Sequence, residues 1–284
     1  MSGVAVVTDT TQYLPQEVID RHGLSLVSLY VNWDGRTDRE SEMPGFDDFY
    51  AFLKSGGELP STSQPSVGDF LAVYEPLVAE GTEVFSVHLA GGISGTVESA
   101  RQAAEQAGGR IEVMDSETGC GGLGMVALAA ARATAEGASL DEVVAAAREA
   151  RKRLKIWFAI DTLDYLQRGG RIGKAQAMLG AALKIKPILS LEQEIVPVER
   201  VRTSGRAFER MVEYARSRKD DGADGWVVQH IQAHEQAERL VERGREIFGS
   251  EPLWVSEVGP VIGAHVGPGL LGVGGFPRSM LRGL

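Results

Sequence analysis

The stretch EVFSVHLAGGISGTVESARQAAEQAGG, residues 83–109, decides how the first half of the chain folds. Its opening is apolar and β-branched, as in a buried strand. Glycines then interrupt it, and an alanine-rich helix follows from near Ser94 to the closing glycines. The same theme recurs on either side. VAVVTDT (4–10), LSLVSLYVNW (24–33) and IEVMDS (111–116) read as strands. QEVIDRHG, GGLGMVALAAARATAEG and SLDEVVAAAREARKRL read as helices, the second of these mostly buried. Near-continuous apolar strands alternating with helices predict a parallel sheet covered on both faces, with ligands beyond the carboxyl ends of its strands.

The second half follows another rhythm. IWFAID starts as a strand, and DTLDYLQRGG and AQAMLGAALKI read as helices. PILSLEQEIVPVERVRTS (187–204) reads as a hairpin turning near Glu192–Glu194. A helix from AFERMVEYARSRK, a strand from GWVVQHI and a helix from AHEQAERLVERGREIFG come next, and PLWVSEVGPVIGAHVGPG reads as closing strand material. The expected architecture is α/β in two domains. Residues 1–154 form a parallel α/β domain, with 53–80 a turn-rich insertion facing the other domain. Residues 155–284 form an α+β domain with a mixed or antiparallel sheet.

Totals exclude several function classes. The chain has 284 residues, is 43% apolar and 24% charged, and carries a formal charge of −10. That charge argues against an overall attraction to nucleic acid or anionic membrane. One cysteine, Cys120, permits no internal disulfide. The first residues, MSGVAVVTDT, lack the pattern of a signal peptide, and no apolar run is long enough to span a bilayer. A cytoplasmic protein is expected.

Chemistry can sit in three places. HLAGGISGTVESARQ (88–102) sets free N–H groups at a helix start beside glycines, with Ser94 and Thr96 adding hydroxyls. A plain capped helix and a carboxylate or phosphate cradle account for it equally well. It is neither a Walker loop nor a dinucleotide fingerprint nor a nucleophile elbow. LPSTSQPSVGDF (59–70) is a polar turn with a Ser66/Asp69 capping box, or a hydroxyl-lined lip over the strand ends. GPVIGAHVGPGLLGV (259–273) places His265 among small and apolar residues, either as a core histidine or as a ring facing a cavity. Lesser signals favour bland readings. His230 and His234 have i, i+4 spacing but straddle a strand end and a helix start, so no metal site is expected. Cys120 reads as a packing residue, although a nearby helix start would lower its pKa. Asp9-Thr10-Thr11 fits a site or an N-cap equally. From Arg168 to Arg210, nine Lys/Arg against four Asp/Glu leave a net +5, either an ordinary solvated face or a docking surface.

Seven blocks in order resemble the DegV family of bacterial fatty-acid-binding proteins: VVTDTT, PSTSQPSVGDF, SVHLAGGISGTVESA, VMDSETG, DTLDYLQRGGRIG, KPIL and GPVIGAHVGPGLLGV. The resemblance implies two α/β domains with a long-chain fatty acid between them and its acyl chain in an apolar tunnel of one lobe. It implies that Thr62, Ser94 and His265, with the Gly95 N–H, hold the carboxylate, and that Arg171 stands nearby. It further implies a binder rather than an enzyme, without cofactor, that hands its ligand to a separate fatty-acid kinase for conversion to acyl-phosphate. Arg171 and Arg202 then become candidates for the kinase-facing surface, and the glycines of the last block would let the backbone approach the lipid head. Two alternatives stand beside this reading. One is a serine hydrolase or acyltransferase with Ser94 as nucleophile and His265 as base. The other is a binder of a different hydrophobic small molecule.

Overall fold

A computed structural model describes residues 3–180 and 185–281. The first half runs β1 (Val4–Asp9), α1 (Gln16–Arg21), β2 (Ser25–Val27), β3 (Tyr30–Trp33), β4 (Arg36–Arg39), α2 (Asp47–Lys54), β5 (Ser61–Ser63), α3 (Val67–Ala79), β6 (Glu83–His88), α4 (Thr96–Ala107), β7 (Ile111–Asp115), α5 (Gly121–Ala135) and α6 (Leu140–Arg153). The second half runs β8 (Lys155–Ala159), α7 (Asp164–Arg168), β9 (Lys186–Glu192), β10 (Glu194–Val201), α8 (Ser204–Asp220), β11 (Gly225–His230), α9 (His234–Phe248), β12 (Val255–Glu257), α10 (Pro260–Val266) and β13 (Leu271–Phe276).

The described residues form three sheets. The first is parallel throughout, in the order β2-β1-β6-β7. The second is mixed, in the order β10-β9-β8-β13-β11-β12, with only β11 and β12 parallel. The third is a small antiparallel sheet, β4-β3-β5.

Helix α5 joins the two large sheets. Residues Gly121–Ala131 are all buried, and a helix that is apolar all round must be covered all round. One core cluster takes Leu123, Val126 and Leu128 from it, Val6 and Phe85 from the parallel sheet, and Val227 and Phe276 from the mixed sheet. Helices α8 and α9 cover the far face of the mixed sheet around Trp226, Met211 and Leu240. Gly244 is required there, since a Cβ would lie 2.3 Å from the Trp226 ring. The small sheet and α2 bring Trp33, Phe49 and Tyr50 against Ile160, Leu166 and Val258 of the second half.

Several expectations need correction. LSLVSLYVNW is not one strand but two, β2 and β3, which join different sheets. The 53–80 segment does hold the helix that the Ser66/Asp69 capping box announces, α3, and adds the short strand β5. AQAMLGAALKI is not an α-helix over its described part, where Gly173–Met178 form a 3₁₀ turn; residues 181–184 lie outside the described residues. The segment carrying His265 is not strand-like. It is the short helix α10, with Pro260 in its first turn where a missing N–H costs nothing.

Candidate functional site

Helix α10 is held by a group far away in sequence. Glu40 Oε1 accepts the Val261 N–H at 2.8 Å and the Tyr13 hydroxyl at 2.9 Å, and Tyr13 in turn accepts the Ile262 N–H at 3.4 Å. The orphan donors of the first helical turn are thereby satisfied by a buried carboxylate and a buried phenol. Tyr50 donates to the Val258 carbonyl, and its ring lies so close to α10 that a Cβ on Gly263 would come within 2.4 Å of its oxygen. Burial raises the Glu40 pKa to about 7, against the lowering effect of these donors.

This anchoring aims His265 at β5. The small sheet registers Val31 opposite Thr62, and Thr62 Oγ1 lies 2.7 Å from His265 Nε2. Burial, with a smaller contribution from the Arg171 guanidinium, lowers the His265 pKa to about 4. The imidazole is therefore neutral at neutral pH. Its Nδ1 is buried without a hydrogen-bond partner among the described residues. Gly169 permits this close packing, since a Cβ there would sit 2.4 Å from His265 Nδ1.

Helix α4 supplies the facing side. Its N-cap is Gly95, and Ser94 Oγ accepts the Thr96 N–H at 3.3 Å and bonds the Thr96 hydroxyl at 2.8 Å. Arg171 reaches back over this loop, donating to the Ile93 carbonyl at 3.3 Å and the Gly169 carbonyl at 2.7 Å. Thr62, Ser94, Gly95, Arg171 and His265 all line one cavity of about 340 Å³. The structure thus brings together the residues expected to meet, and it does not bring Arg202, which is exposed and lines no part of that cavity.

The rest of the lining is largely apolar. Leu29, Leu89 and Val261 come from around the head residues, while Ile156, Phe158 and Val273 come from the mixed sheet. Gly274 leaves room on that wall, where a Cβ would lie 2.8 Å from Ile156. Gln229 also lines it, but its amide is spent on the Gly121 N–H and the Ser256 hydroxyl. The cavity lies beyond the carboxyl ends of β6 and β7, as a parallel sheet predicts, and both halves of the chain line it.

Two further readings change. Of the glycines of 259–273, Gly272 lines the cavity, while Gly259, Gly263 and Gly267 instead make room for Glu40, Tyr50 and the Tyr165 ring. Cys120 does line it, but burial, then the Glu40 charge, push the thiol up to about 12, opposite to the lowering expected at a helix start. Asp9 acts as a cap, accepting the Thr11 and Leu89 N–H groups at 3.0 Å. It also bonds His88, which bonds Ser86. That Asp–His–Ser chain is wholly buried and outside the cavity lining, so it cannot act on a ligand there. Ser94 and His265 share no hydrogen bond among the described residues; each is bonded to a threonine instead. Sequence reasoning missed Glu40, because nothing local marks a carboxylate whose partner lies 221 positions away.

Comparison with known proteins agrees with this architecture. The family model described as an uncharacterised protein of the DegV family matches residues 3–278. A DegV domain-containing protein of Streptomyces coelicolor is 40% identical over 95% of this chain and 97% of its own length. The crystal structure of Bacillus subtilis DegV, described as a fatty acid binding protein, superposes with a TM-score of 0.89 at 35% identity, covering 97% of this chain and all 100% of the other. A fatty-acid-binding DegV family protein from Thermus thermophilus gives 0.87 at 34% identity, covering 97% and 99%. A match that runs the length of the chain, in both sequence and fold, places this protein in the DegV family.

Proposed function

We propose that this protein binds a long-chain fatty acid, its acyl chain in the 340 Å³ cavity and its carboxylate beside Thr62, Ser94, Gly95 and His265. The observation that carries the reading is the Thr62–His265 pair at 2.7 Å facing the Ser94–Gly95 helix start across one largely apolar cavity. Each buried CH₂ contributes about 0.8 kcal/mol, so the tail dominates affinity and the polar groups set orientation. Two solved relatives described as fatty-acid binders support the ligand class.

The head site suits presentation to a separate kinase. Neutral hydroxyls and a helix N-terminus hold a carboxylate without a bidentate arginine clamp, so one oxygen stays free to attack a phosphoryl donor. On the basic stretch, Lys174, Lys186, Arg206 and Arg210 are neutralised by acidic neighbours. Arg168, Arg171, Arg200 and Arg202 have no such neighbour among the described residues, and all four are exposed; Lys184 lies outside the described residues. Those arginines offer a positive face to an acidic partner.

Loaded protein mixed with ATP and a bacterial fatty-acid kinase should form acyl-phosphate, trapped as the hydroxamate. Arg202→Glu should slow product formation while fatty-acid affinity stays unchanged. Equal rates for both proteins would remove Arg202 from the docking face. The hydrolase alternative predicts fluorophosphonate labelling of Ser94, and no labelling is expected where Ser94 lacks a histidine partner.

A further inference from the structure

We propose that His230, His234 and Glu257 form a site for a divalent transition-metal ion of zinc-like chemistry, separate from the cavity. None of the three lines the cavity, and the reading of the ligand site does not depend on them.

Topology brings them together. His230 is the last residue of β11, and the parallel register of β11 with β12 pairs it directly with Glu257. His234 opens α9 a short turn later, with its ring centroid 4.5 Å from that of His230. One potential ligand atom from each of the three lies within 4.8 Å of the others, and His234 Nε2 is 3.9 Å from Glu257 Oε1. Tetrahedral zinc with bonds of about 2.0–2.2 Å holds neighbouring ligand atoms roughly 3.4 Å apart. The closure needed is small, and the groups that must make it are the accessible ones: the His234 side chain is 63% exposed and that of Glu257 is 21%.

His230 is the fixed member. It is only 5% exposed, and its buried Nδ1 has no hydrogen-bond partner among the described residues. A buried polar atom left without a partner is costly and needs a reason. Glu257 is held in place by Gln232, whose backbone and side-chain N–H groups donate to Oε1 at 3.1 and 3.0 Å. Both bonds fall on Oε1, the oxygen that lies 3.9 Å from His234 Nε2, and so fix the carboxylate facing that ring. Gln232 is itself braced by Lys54 at 2.8 Å and Asp47 at 3.2 Å from α2. Metal-binding carboxylates are commonly oriented by such a second layer. Two imidazoles and one carboxylate favour zinc, cobalt, nickel or copper over magnesium or calcium, and three protein ligands leave a position for water.

Tag-free protein, stripped with EDTA and dialysed, is titrated with Zn²⁺ by calorimetry and with Co²⁺ by visible absorption. One ion per chain is expected, with a Co²⁺ d–d band and no saturable heat from Mg²⁺. His234→Ala and Glu257→Gln should each weaken Zn²⁺ binding at least tenfold, and His22→Ala, remote from the cluster, should not. His234 is exposed, so its alanine variant should keep the wild-type circular dichroism and palmitate affinity. Absence of saturable Zn²⁺ binding in the wild type would overturn the proposal. So would a Zn²⁺ affinity that His234→Ala and Glu257→Gln leave unchanged.

Discussion

Thr62 Oγ1 and His265 Nε2 meet at 2.7 Å across 203 positions of sequence, and this contact fixes which way the threonine hydroxyl can point. With His265 neutral, the Nε2–H tautomer donates to Thr62 and leaves the Thr62 hydroxyl free to donate into the cavity. The other tautomer would bury an unpaired Nδ1–H and point oxygen lone pairs at a carboxylate. The pairing therefore orients a donor, and no imidazolium is needed.

The first prediction concerns that protonation state. Burial lowers the His265 pKa from 6.5 to about 4, so NMR should show its ring titrating near 4. The unfolded chain takes up a proton below 6.5 that the folded chain refuses until about 4. This site's effect on stability is thus constant above 6.5 and turns unfavourable as pH falls through the window, by an amount of order 3 kcal/mol. Fatty-acid affinity should be flat between about pH 6.5 and 8. A ring titrating at or above 6.5 in the free protein would contradict this.

Glu40 should behave in the opposite sense. Its pKa is raised from 4.5 to about 7, so the folded protein keeps a proton that the unfolded chain has already lost. Wild-type stability from this site declines as pH rises from 4.5 to 7, by an amount of order 3 kcal/mol. Glu40→Gln cannot ionise. Urea denaturation should show the glutamine variant gaining on wild type across that interval. A constant difference would mean the carboxylate is not buried as described.

Removing the Ser94 hydroxyl should weaken fatty-acid binding by about 1–3 kcal/mol while leaving the thermal midpoint nearly unchanged, because Ser94 is only partly buried. Thr62→Val should act similarly and also free His265. Isothermal titration with palmitate reads both. Wild-type affinity in the two variants would remove these hydroxyls from the head site.

Gly267 should tolerate no side chain. Its φ of +77° lies in the left-handed region, and a Cβ would sit 2.3 Å from the Tyr165 ring. Gly267→Ala should cost about 3 kcal/mol in chemical denaturation, combining backbone strain with overpacking. A loss under about 0.5 kcal/mol would show that the helix end shifts freely.

The parallel sheet was legible because β1, β6 and β7 are short apolar runs closed by glycine or polar residues, and each leads to a helix. The site residues were legible only through their motif contexts, since Thr62, Ser94 and His265 come from three distant segments. Other features left weaker traces. The run from Leu24 to Trp33 carries no glycine or proline, and Ser28 alone is too weak a signal to mark where it passes from one sheet to another. The valines, glycines and prolines around His265 resemble a strand by composition, while helix α10 depends on capping by Glu40 from outside the segment. Spacing showed His230 and His234 but could not show Glu257, which only the register of β11 on β12 places beside them.

The central claim is that the 340 Å³ cavity holds a fatty acid. Native mass spectrometry of the protein purified from bacteria without delipidation tests it most directly. The account predicts one long-chain fatty acid per chain, lost on denaturation and restored by adding palmitate to stripped protein. A chain that emerges empty and takes up no palmitate would contradict it.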